Sequence, residues 1–323
     1  MTINYIILAH KQPKQLKRLI ERLSDHACFF YIHIDMNSDI EPFVNEVSML
    51  NNVQFISDEK REFGTWGDIG IVRATINVLE EIVSSNGKGY CVLMSGQDYP
   101  IKDNAHIKSF FSENYGTEFI SHFSIPSTDW NAGGMERICD YKFNISNKRG
   151  DLVLTPSIFQ SKFYTLRSLK NIYRLAKGKK FTSILKLLKK RAKFPSYLKP
   201  FGGDQWWAIT TETAKKVLQF INEHPDYLVF HKETLLPDEI FFQSIIVQLN
   251  SATPHLIKPS LTYVNWQKMN VPLPVTFNIE DISELRNQSN EKLFARKFDT
   301  SMDENILNAI DQSILYPHTA TNK

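Results

Sequence analysis

The sequence has few features of a disulfide-bonded, zinc-binding or membrane-spanning protein. Its three cysteines, Cys28, Cys91 and Cys139, are far apart and odd in number, which indicates neither a disulfide framework nor a metal site. No apolar stretch reaches the roughly 18 residues that a membrane helix needs. The start, MTINYIILAHKQ, has only a short apolar run before a His and a Lys, so no signal peptide is expected. These absences predict a cytoplasmic protein with reduced cysteines.

Glycine-rich phosphate-binding motifs are also missing. No G-x-G-x-x-G follows the first predicted strand, and NGKGY at residues 86–90 lacks both the spacing and the Ser or Thr of a Walker motif. This argues against a nucleotide triphosphatase and against a dehydrogenase.

Alternating apolar strands and amphipathic helices predict an α/β fold. Strands are expected at residues 5–8, 28–34, 53–57, 90–94 and 263–266, and helices at 15–23, 71–83 and 211–222. In an open α/β sheet the ligand crevice lies beyond the carboxyl ends of the strands. We therefore expect His10, Asp35 and the turn at residues 95–102 to line one nucleotide-sized site.

The stretch LLPDEIFFQSII, residues 235–246, predicts one helix that begins at Pro237. Its buried face would carry Ile240, Phe241, Ile245 and Ile246. Asp238 and Glu239 fall in the first turn, about 100° apart around the axis, so one carboxylate alone is expected to enter a cleft. Two interpretations are open on spacing alone: a single catalytic base, or two acids that only complement the helix dipole.

Positive charge is concentrated in residues 162–199. This basic segment has thirteen Lys and Arg residues and no acidic one, whereas the whole chain has a net charge of only +3. Ile184, Leu185, Leu187 and Leu188 alternate with the lysines, a pattern typical of an amphipathic helix that lies on an anionic membrane. The alternatives are a solvated helical insertion and, less favoured because no stacking-aromatic pattern accompanies the charge, nucleic-acid binding.

Two further segments contain candidate binding residues. FGGDQWWAIT, residues 201–210, combines two glycines with Trp206 and Trp207. Glycines allow a ligand to approach the backbone closely, and sugars pack on tryptophan faces, although paired tryptophans also occur in protein cores. LFARKFD, residues 293–299, places Arg296 and Lys297 beside aromatic and aliphatic side chains.

Taken in chain order, these motifs resemble those of the family 14 glycosyltransferases. The motifs are ILAH, FYIHID, a Trp-Gly turn at residues 65–68, LMSGQDYPIK, FGGDQWWAIT, LLPDEIFF, YVNW and FARKFD. The family contains the core-2/I-branching β-1,6-N-acetylglucosaminyltransferases and the peptide O-xylosyltransferases. The resemblance implies a GT-A-like α/β fold over residues 1–323, with a nucleotide-sugar half at about 1–120 and an acceptor half at about 121–310 that includes the basic segment.

The resemblance also implies roles for residues at matching positions. Glu239 matches the catalytic base. Lys297, with Arg296 beside it, matches the cation that holds the UDP diphosphate in place of a metal, and the chain has no Asp-x-Asp motif at a strand end. The positions that match the nucleotide pocket are His10, Asp35, Trp66 and Asp98. The positions that match the loop facing the acceptor are Gly203, Asp204, Gln205 and Trp206.

Departures from the family pattern leave some points open. LPVT at residues 273–276 stands where many bacterial relatives carry a basic residue, so one phosphate contact is missing and Lys268 or Arg296 is the candidate replacement. The disulfide cysteines of the animal enzymes are absent, which favours a bacterial-type cytoplasmic protein. Leu235 and Leu236 resemble the xylosyltransferases more than the branching enzymes, and the donor stays open between GlcNAc, xylose and glucose.

The implied activity is inverting, metal-independent transfer of a sugar from a UDP-sugar to a hydroxyl of a glycan, forming a β-linkage. We expect no cofactor and no nucleic-acid partner. We expect the acceptor to be a lipid-linked surface polysaccharide at the inner membrane face, with the basic segment on the anionic lipid. The alternatives are a glycoside hydrolase and a non-catalytic glycan-binding or membrane-surface module.

Overall fold

The computed structural model describes residues 1–146 and 148–316. The strands of this part of the chain, numbered in chain order, are β1 (Ile3–Ala9), β2 (Cys28–Ile34), β3 (Val53–Phe55), β4 (Tyr90–Ser95), β5 (Asp98–Pro100), β6 (Glu118–Ile120), β7 (Phe123–Ser124), β8 (Tyr141–Asn144), β9 (Leu152–Thr155), β10 (Phe201–Gly202), β11 (Trp207–Thr210), β12 (Ile257–Lys258), β13 (Thr262–Val264) and β14 (Phe294–Arg296).

The α-helices of the described residues are α1 (Pro13–Leu23), α2 (Glu41–Val47), α3 (Gly70–Ser84), α4 (Asn104–Glu113), α5 (Met135–Cys139), α6 (Leu166–Lys177), α7 (Phe181–Lys186), α8 (Thr211–Glu223), α9 (Pro225–His231), α10 (Phe241–Leu249), α11 (Ile282–Arg286) and α12 (Asn305–Ile310). None of them combines the length and the apolar character that crossing a bilayer requires.

A central sheet organises the fold. Seven of the described strands lie in the order β3–β2–β1–β4–β11–β6–β12. Neighbours pair in parallel except at β11, which runs antiparallel to both β4 and β6. The inner strands β1, β2 and β4 are almost continuous apolar runs, because helices cover both faces of such a sheet. The α/β prediction with a GT-A-like sheet is confirmed; the division into two halves stays a prediction.

Two apolar layers lie on the two faces of the sheet. One layer includes Leu16 and Leu19 of α1 together with Phe111 of α4. The other includes Leu79 of α3 and Phe241 of α10. The sheet is therefore fixed from both sides, and the loops at the carboxyl ends of β1, β2 and β4 are held in place around one crevice.

A smaller sheet joins two motifs that are far apart in sequence. Its order is β13–β14–β5, and β14 runs antiparallel to β5. In this register Arg296 lies directly opposite Asp98. The FARKFD segment is therefore attached to the SGQDYP turn at the edge of the crevice.

The basic segment is helical, but the amphipathic helix expected around residues 184–188 is short, since α7 ends at Lys186. The chain forms two helices there, α6 and α7. Leu187 is buried in a small cluster with Tyr141 and Leu175, and Arg191 is buried with its guanidinium over the rings of Tyr141 and Phe230. Three other cations form ion pairs within the chain, namely Arg167 with Glu136, Arg174 with Asp151 and Lys186 with Glu233. Part of this segment is therefore structural.

The three cysteines are unpaired in the described part of the chain. Cys28 and Cys91 are buried, Cys139 is half-buried, and all three are free thiols. Burial raises the pKa of the Cys28 thiol to about 11, so that group is a packed, unreactive side chain.

Candidate active site

A cavity of about 770 Å³ lies at the carboxyl ends of β1, β2 and β4. This volume is in the usual range for a small-molecule site. Nine of the predicted site residues border it, namely His10, Asp35, Trp66, Asp204, Gln205, Trp206, Glu239, Arg296 and Lys297. Asp98 and Gly203 are not among its lining residues. The fold therefore brings segments that are more than 280 residues apart, such as His10 and Lys297, to one place.

Glu239 lies on a short turn that precedes α10. Pro237–Glu239 is a single 3₁₀ turn, Ile240 has a φ of −132°, and the regular helix starts at Phe241. The prediction of one continuous helix that begins at Pro237 is therefore wrong. The apolar spacing is real, but the backbone of Ile240 lies between the turn and the helix and separates them. Leu236, directly before the turn, has a left-handed φ of 50°. Strained residues of this kind are often found beside functional groups.

Two glycines hold this turn in position. Gly67 has a φ of +76°, which favours glycine, and its carbonyl accepts a hydrogen bond from the Leu236 amide at 3.2 Å. The Gly203 amide donates to the Glu239 carbonyl at 3.0 Å. A Cβ at Gly203 would overlap the carbonyl oxygen of Ser121, so this glycine allows the chain to approach its own backbone rather than a ligand.

The Glu239 carboxylate forms an ion pair with Arg137 of α5. Arg137 Nη1 donates to Glu239 Oε2 at 2.6 Å, and the guanidinium lies 3.6 Å from the ring centroid of Trp130. Burial raises the pKa of Glu239, and the positive charge of Arg137 opposes that rise. Because only Oε2 accepts from a described residue, Oε1 is available to accept a proton. Arg137 belongs to no motif, and no spacing in the sequence indicates its contact with Glu239.

Asp238 is more deeply buried than Glu239. It is 5% exposed, and its Oδ1 finds no hydrogen-bond partner in the part of the chain that the structure describes. Burial, and next the charge of Glu239, raise its pKa to about 7. Both residues border the cavity, but the two carboxyl groups are in different electrostatic environments, because Arg137 forms an ion pair with Glu239 and, among the described contacts, none with Asp238.

Arg296 connects the nucleotide motifs with the acceptor motif. Its Nη1 donates to Asp98 Oδ1 at 2.7 Å, and its guanidinium lies 4.3 Å from the ring centroid of Trp206. Asp98 is fully buried; burial raises its pKa, and the charge of Arg296 opposes that shift. Asp98 therefore positions Arg296 rather than contacting the cavity.

Lys297 is the half-buried cation beside Arg296. Among the residues that the structure describes, no carboxylate forms an ion pair with it. Burial lowers its pKa, and the positive charges of Arg149, Arg296 and Lys11 lower it further. An ammonium held among other cations is well suited to a polyanionic ligand.

The tryptophan pair belongs to the protein interior. Trp207 is 2% exposed and packs on Phe242, so the interpretation that its face is open to a sugar is wrong. Trp206 borders the cavity but is covered by Arg296. Trp266 of the YVNW motif also borders the cavity and is 54% exposed. The open tryptophan face is therefore at Trp266, which the sequence analysis did not single out.

The remaining predicted residues lie around the rim. Both oxygens of Asp35 accept hydrogen bonds from nearby groups, Oδ1 from Asn37 and Oδ2 from the Gly64 amide at 3.0 Å, so this carboxylate orders its own turn. Trp66 lies beneath Arg149, 5.5 Å from ring centroid to guanidinium. The Asp204 carbonyl accepts from Gln243 of α10 at 2.6 Å. This bond ties the predicted acceptor loop to the helix that follows Glu239.

Comparison with solved structures gives low overall similarity. The structure of 4-diphosphocytidyl-2C-methyl-D-erythritol synthase aligns with a TM-score of 0.35 and 7% identity, over 89% of this chain and 100% of that one. Mannose-1-phosphate geranyltransferase from Thermus thermophilus aligns with a TM-score of 0.30 and 9% identity, over 76% of this chain and 72% of that one.

Sequence comparison gives more extensive matches. Xylosyltransferase 2 of Homo sapiens is 23% identical over 96% of this chain and 33% of its own length, and that of Rattus norvegicus is 22% identical with the same coverage. Xylosyltransferase 1 of Rattus norvegicus is 21% identical over 97% of this chain and 35% of its own length. The chain thus spans about a third of the length of these relatives.

The family match agrees with the motifs that meet in the cavity. The model of the Core-2/I-Branching enzyme family matches residues 3–289, a range that includes β1, the Asp98 strand and the Glu239 turn. The chain therefore belongs to the Core-2/I-Branching enzyme family, within the family 14 glycosyltransferases.

Proposed function

We propose that the protein transfers a sugar from a UDP-sugar to a hydroxyl of a glycan acceptor, with inversion at the anomeric carbon and without a divalent metal. One observation carries this proposal. Glu239, paired with Arg137, borders the same cavity as Lys297, which has no acidic partner among the described residues. Sugar transfer from a nucleotide needs a base for the acceptor and a cation for the leaving diphosphate.

The transfer follows from these two groups. Glu239 takes the proton of an acceptor hydroxyl while that oxygen attacks the anomeric carbon from the side opposite the phosphate. The bond between the anomeric carbon and the phosphate oxygen breaks, and UDP leaves with the electron pair. Lys297 stabilises the negative charge that develops on the departing diphosphate. Attack from the opposite side inverts the configuration and forms a β-linkage.

The curated relatives point to the first donor to test. The three relatives described above are named xylosyltransferases, so UDP-xylose is tested before UDP-GlcNAc and UDP-glucose.

We further propose that the acceptor is lipid-linked and that the basic segment docks on an anionic membrane, in surface polysaccharide synthesis at the inner face. The exposed apolar side chains of the basic segment support membrane docking. Seven of the large apolar side chains in this segment are 57–77% exposed, namely Tyr164, Leu166, Leu169, Tyr173, Phe181, Leu185 and Leu188. They stand among lysines, and this combination of exposed apolar area with positive charge favours anionic interfaces.

The test is a transfer assay with a binding control. Each UDP-sugar is incubated with glycan acceptors, UDP release and glycan product are measured, and melting temperature is recorded with and without donor. We expect one donor to raise the melting temperature and to yield product in equal amount to the UDP released. If none of the three stabilises the protein or reacts, the proposal is wrong.

A hydrolase is the second candidate, because a further carboxylate, Asp204, borders the same cavity. A retaining or inverting hydrolase needs one carboxyl group that stays protonated as general acid. Arg137 works against that role for Glu239, since its charge favours the ionised form. Cleavage of aryl glycosides in the absence of any nucleotide would favour the hydrolase.

A further inference from the structure

We infer that Arg149, in the turn between β8 and β9, is a second diphosphate-binding residue, supplying the positive charge that the segment at residues 273–276 lacks. This inference rests on the proposed UDP-sugar activity. It assigns a ligand contact to a residue that belongs to none of the motifs above.

The positive charge around the cavity is only partly neutralised by carboxylates. Five Lys and Arg side chains border the cavity. Three of them are each neutralised by a carboxylate, namely Lys11 by Asp299 at 2.6 Å, Lys268 by Asp281 at 2.7 Å and Arg296 by Asp98 at 2.7 Å. The other two, Arg149 and Lys297, have no ion-pair partner in the described part of the chain. A diphosphate therefore meets two uncompensated cations in this cavity.

Arg149 is placed where it can contact a ligand in the cavity. It borders the cavity, and its guanidinium lies 5.5 Å from the ring centroid of Trp66. The indole ring of Trp66 holds the planar guanidinium of Arg149 by a cation–π contact. The N–H groups at the edge of the guanidinium are left free to donate hydrogen bonds. Of the neighbouring charges that lower the pKa of Lys297, that of Arg149 has the largest effect, so the two cations lie within electrostatic range of each other.

The residues that the sequence suggests as replacements for the missing phosphate contact are not suited to that role. Pro274, Val275 and Thr276 border the cavity without offering a charge. Lys268 forms an ion pair with Asp281, and Arg296 forms one with Asp98. If either cation bound a phosphate instead, a buried carboxylate would be left unpaired. Arg149 can bind a phosphate without breaking an ion pair.

The experiment compares ligands with and without phosphate. Affinities for UDP are measured by calorimetry and for uridine by ligand-observed NMR, in the wild type and in Arg149→Ala, Arg149→Lys and Lys297→Ala. Lys148→Ala is the matched control, because Lys148 is exposed in the same turn and is not among the residues that border the cavity. Melting temperatures confirm that each variant is folded.

We expect Arg149→Ala to weaken UDP binding by about 10-fold, the loss of one charge-assisted contact, with Arg149→Lys intermediate. Uridine affinity should not change, and Lys148→Ala should behave as the wild type. The inference is overturned if Arg149→Ala leaves UDP affinity unchanged while Lys297→Ala lowers it, and that outcome keeps the proposed function. It is also overturned if uridine and UDP lose affinity equally. Absence of UDP binding by the wild type would remove the proposed function itself.

Discussion

Arg137 and Glu239, 102 residues apart in sequence, form an ion pair of 2.6 Å between Nη1 and Oε2. Burial raises the pKa of Glu239, and the positive charge of Arg137 opposes that rise and so favours the ionised carboxylate. The guanidinium also packs on the ring of Trp130. Arg137 thus orients Glu239 and favours the form of the carboxyl group that accepts a proton.

Replacing the base tests the centre of the mechanism. Glu239→Gln is nearly isosteric and removes the proton acceptor, so sugar transfer should fall by roughly 10²–10⁴-fold, the usual contribution of a general base. UDP affinity and melting temperature should stay close to those of the wild type. Asp238→Asn is the adjacent control and should lose much less activity, since its carboxyl group is buried and not paired with Arg137. If Glu239→Gln retained more than about a tenth of the transfer, the base would be elsewhere, with Asp204 the first candidate.

Removing the partner of the base should change the pH profile. In Arg137→Met the pKa of Glu239 loses the charge that lowers it, so the acid limb of kcat/KM should move to higher pH by about one unit or more. The control is Arg73→Met, which removes an arginine of α3 whose ion pair with Glu62 lies outside the lining of the cavity. An acid limb that stays in place in Arg137→Met would show that Arg137 does not set the ionisation of the base.

The buried carboxyl of Asp238 predicts a pH-dependent stability. Its folded pKa of about 7 is raised from an ordinary value of 3.8, so folding favours the protonated form. That stabilising contribution is fully present below the ordinary value and is lost as pH rises through about 7. Asp238→Asn keeps a neutral side chain, and its free energy of unfolding should gain roughly 1–3 kcal/mol on the wild type between about pH 5 and pH 8.

Urea unfolding at the two pH values measures this difference. Glu80→Gln, a change at an exposed carboxylate of α3, is the control and should show no such gain. Equal differences between Asp238→Asn and the wild type at both pH values would contradict a buried, protonated Asp238.

Chelation tests the proposed absence of a metal. EDTA should leave transfer nearly unchanged, because the positive charge for the diphosphate comes from side chains. Lys297→Ala should lose roughly 2–4 kcal/mol of transition-state stabilisation, similar to loss of another preorganised donor, whereas Lys88→Ala, at an exposed site, should not. Activity that disappears with EDTA and returns with Mn²⁺ would be decisive against this part of the proposal.

Vesicle sedimentation tests the basic segment. Binding to anionic vesicles should contribute about 1 kcal/mol per well-placed Lys or Arg and should weaken with salt. The double variant Lys170→Glu with Lys177→Glu should bind less than Lys215→Glu with Lys216→Glu, which makes the same charge change on α8. Equal binding of the two double variants, or binding to neutral vesicles as strong as to anionic ones, would count against membrane docking.

The parts of the fold that could be predicted are those with a local signal. The second strand, Cys28–Ile34, was predicted with its observed bounds, because a strand buried on both faces is one continuous apolar run. The three-residue strands β5 and β14 have no periodicity to detect, yet they bring Asp98 and Arg296 together. Ile240 shows a further limit: its φ of −132° interrupts a stretch whose apolar spacing is helical.

Some residues of the candidate site could likewise be predicted from the sequence, and others could not. Glu239 and Lys297 lie in ordered motifs and could be found by resemblance, since each motif is a continuous stretch. Arg137 and Arg149 reach the cavity only through the tertiary structure, one from the short helix α5 and one from the turn after β8. No spacing rule relates either of them to its partner, Glu239 or Trp66, so a single sequence contains no signal for those contacts.

The order of the central sheet has a consequence for how the chain folds. Among the strands that the structure describes, β6 (Glu118–Ile120) pairs with β11 and β12 alone, which follow it by almost 90 and about 140 residues. A ribosome that has made β1 to β6 has therefore exposed a strand whose two partners have not been synthesised. Such distant pairing slows folding and leaves unpaired edges open to aggregation in the meantime. The nascent chain can complete its sheet only after Lys258 has left the exit tunnel.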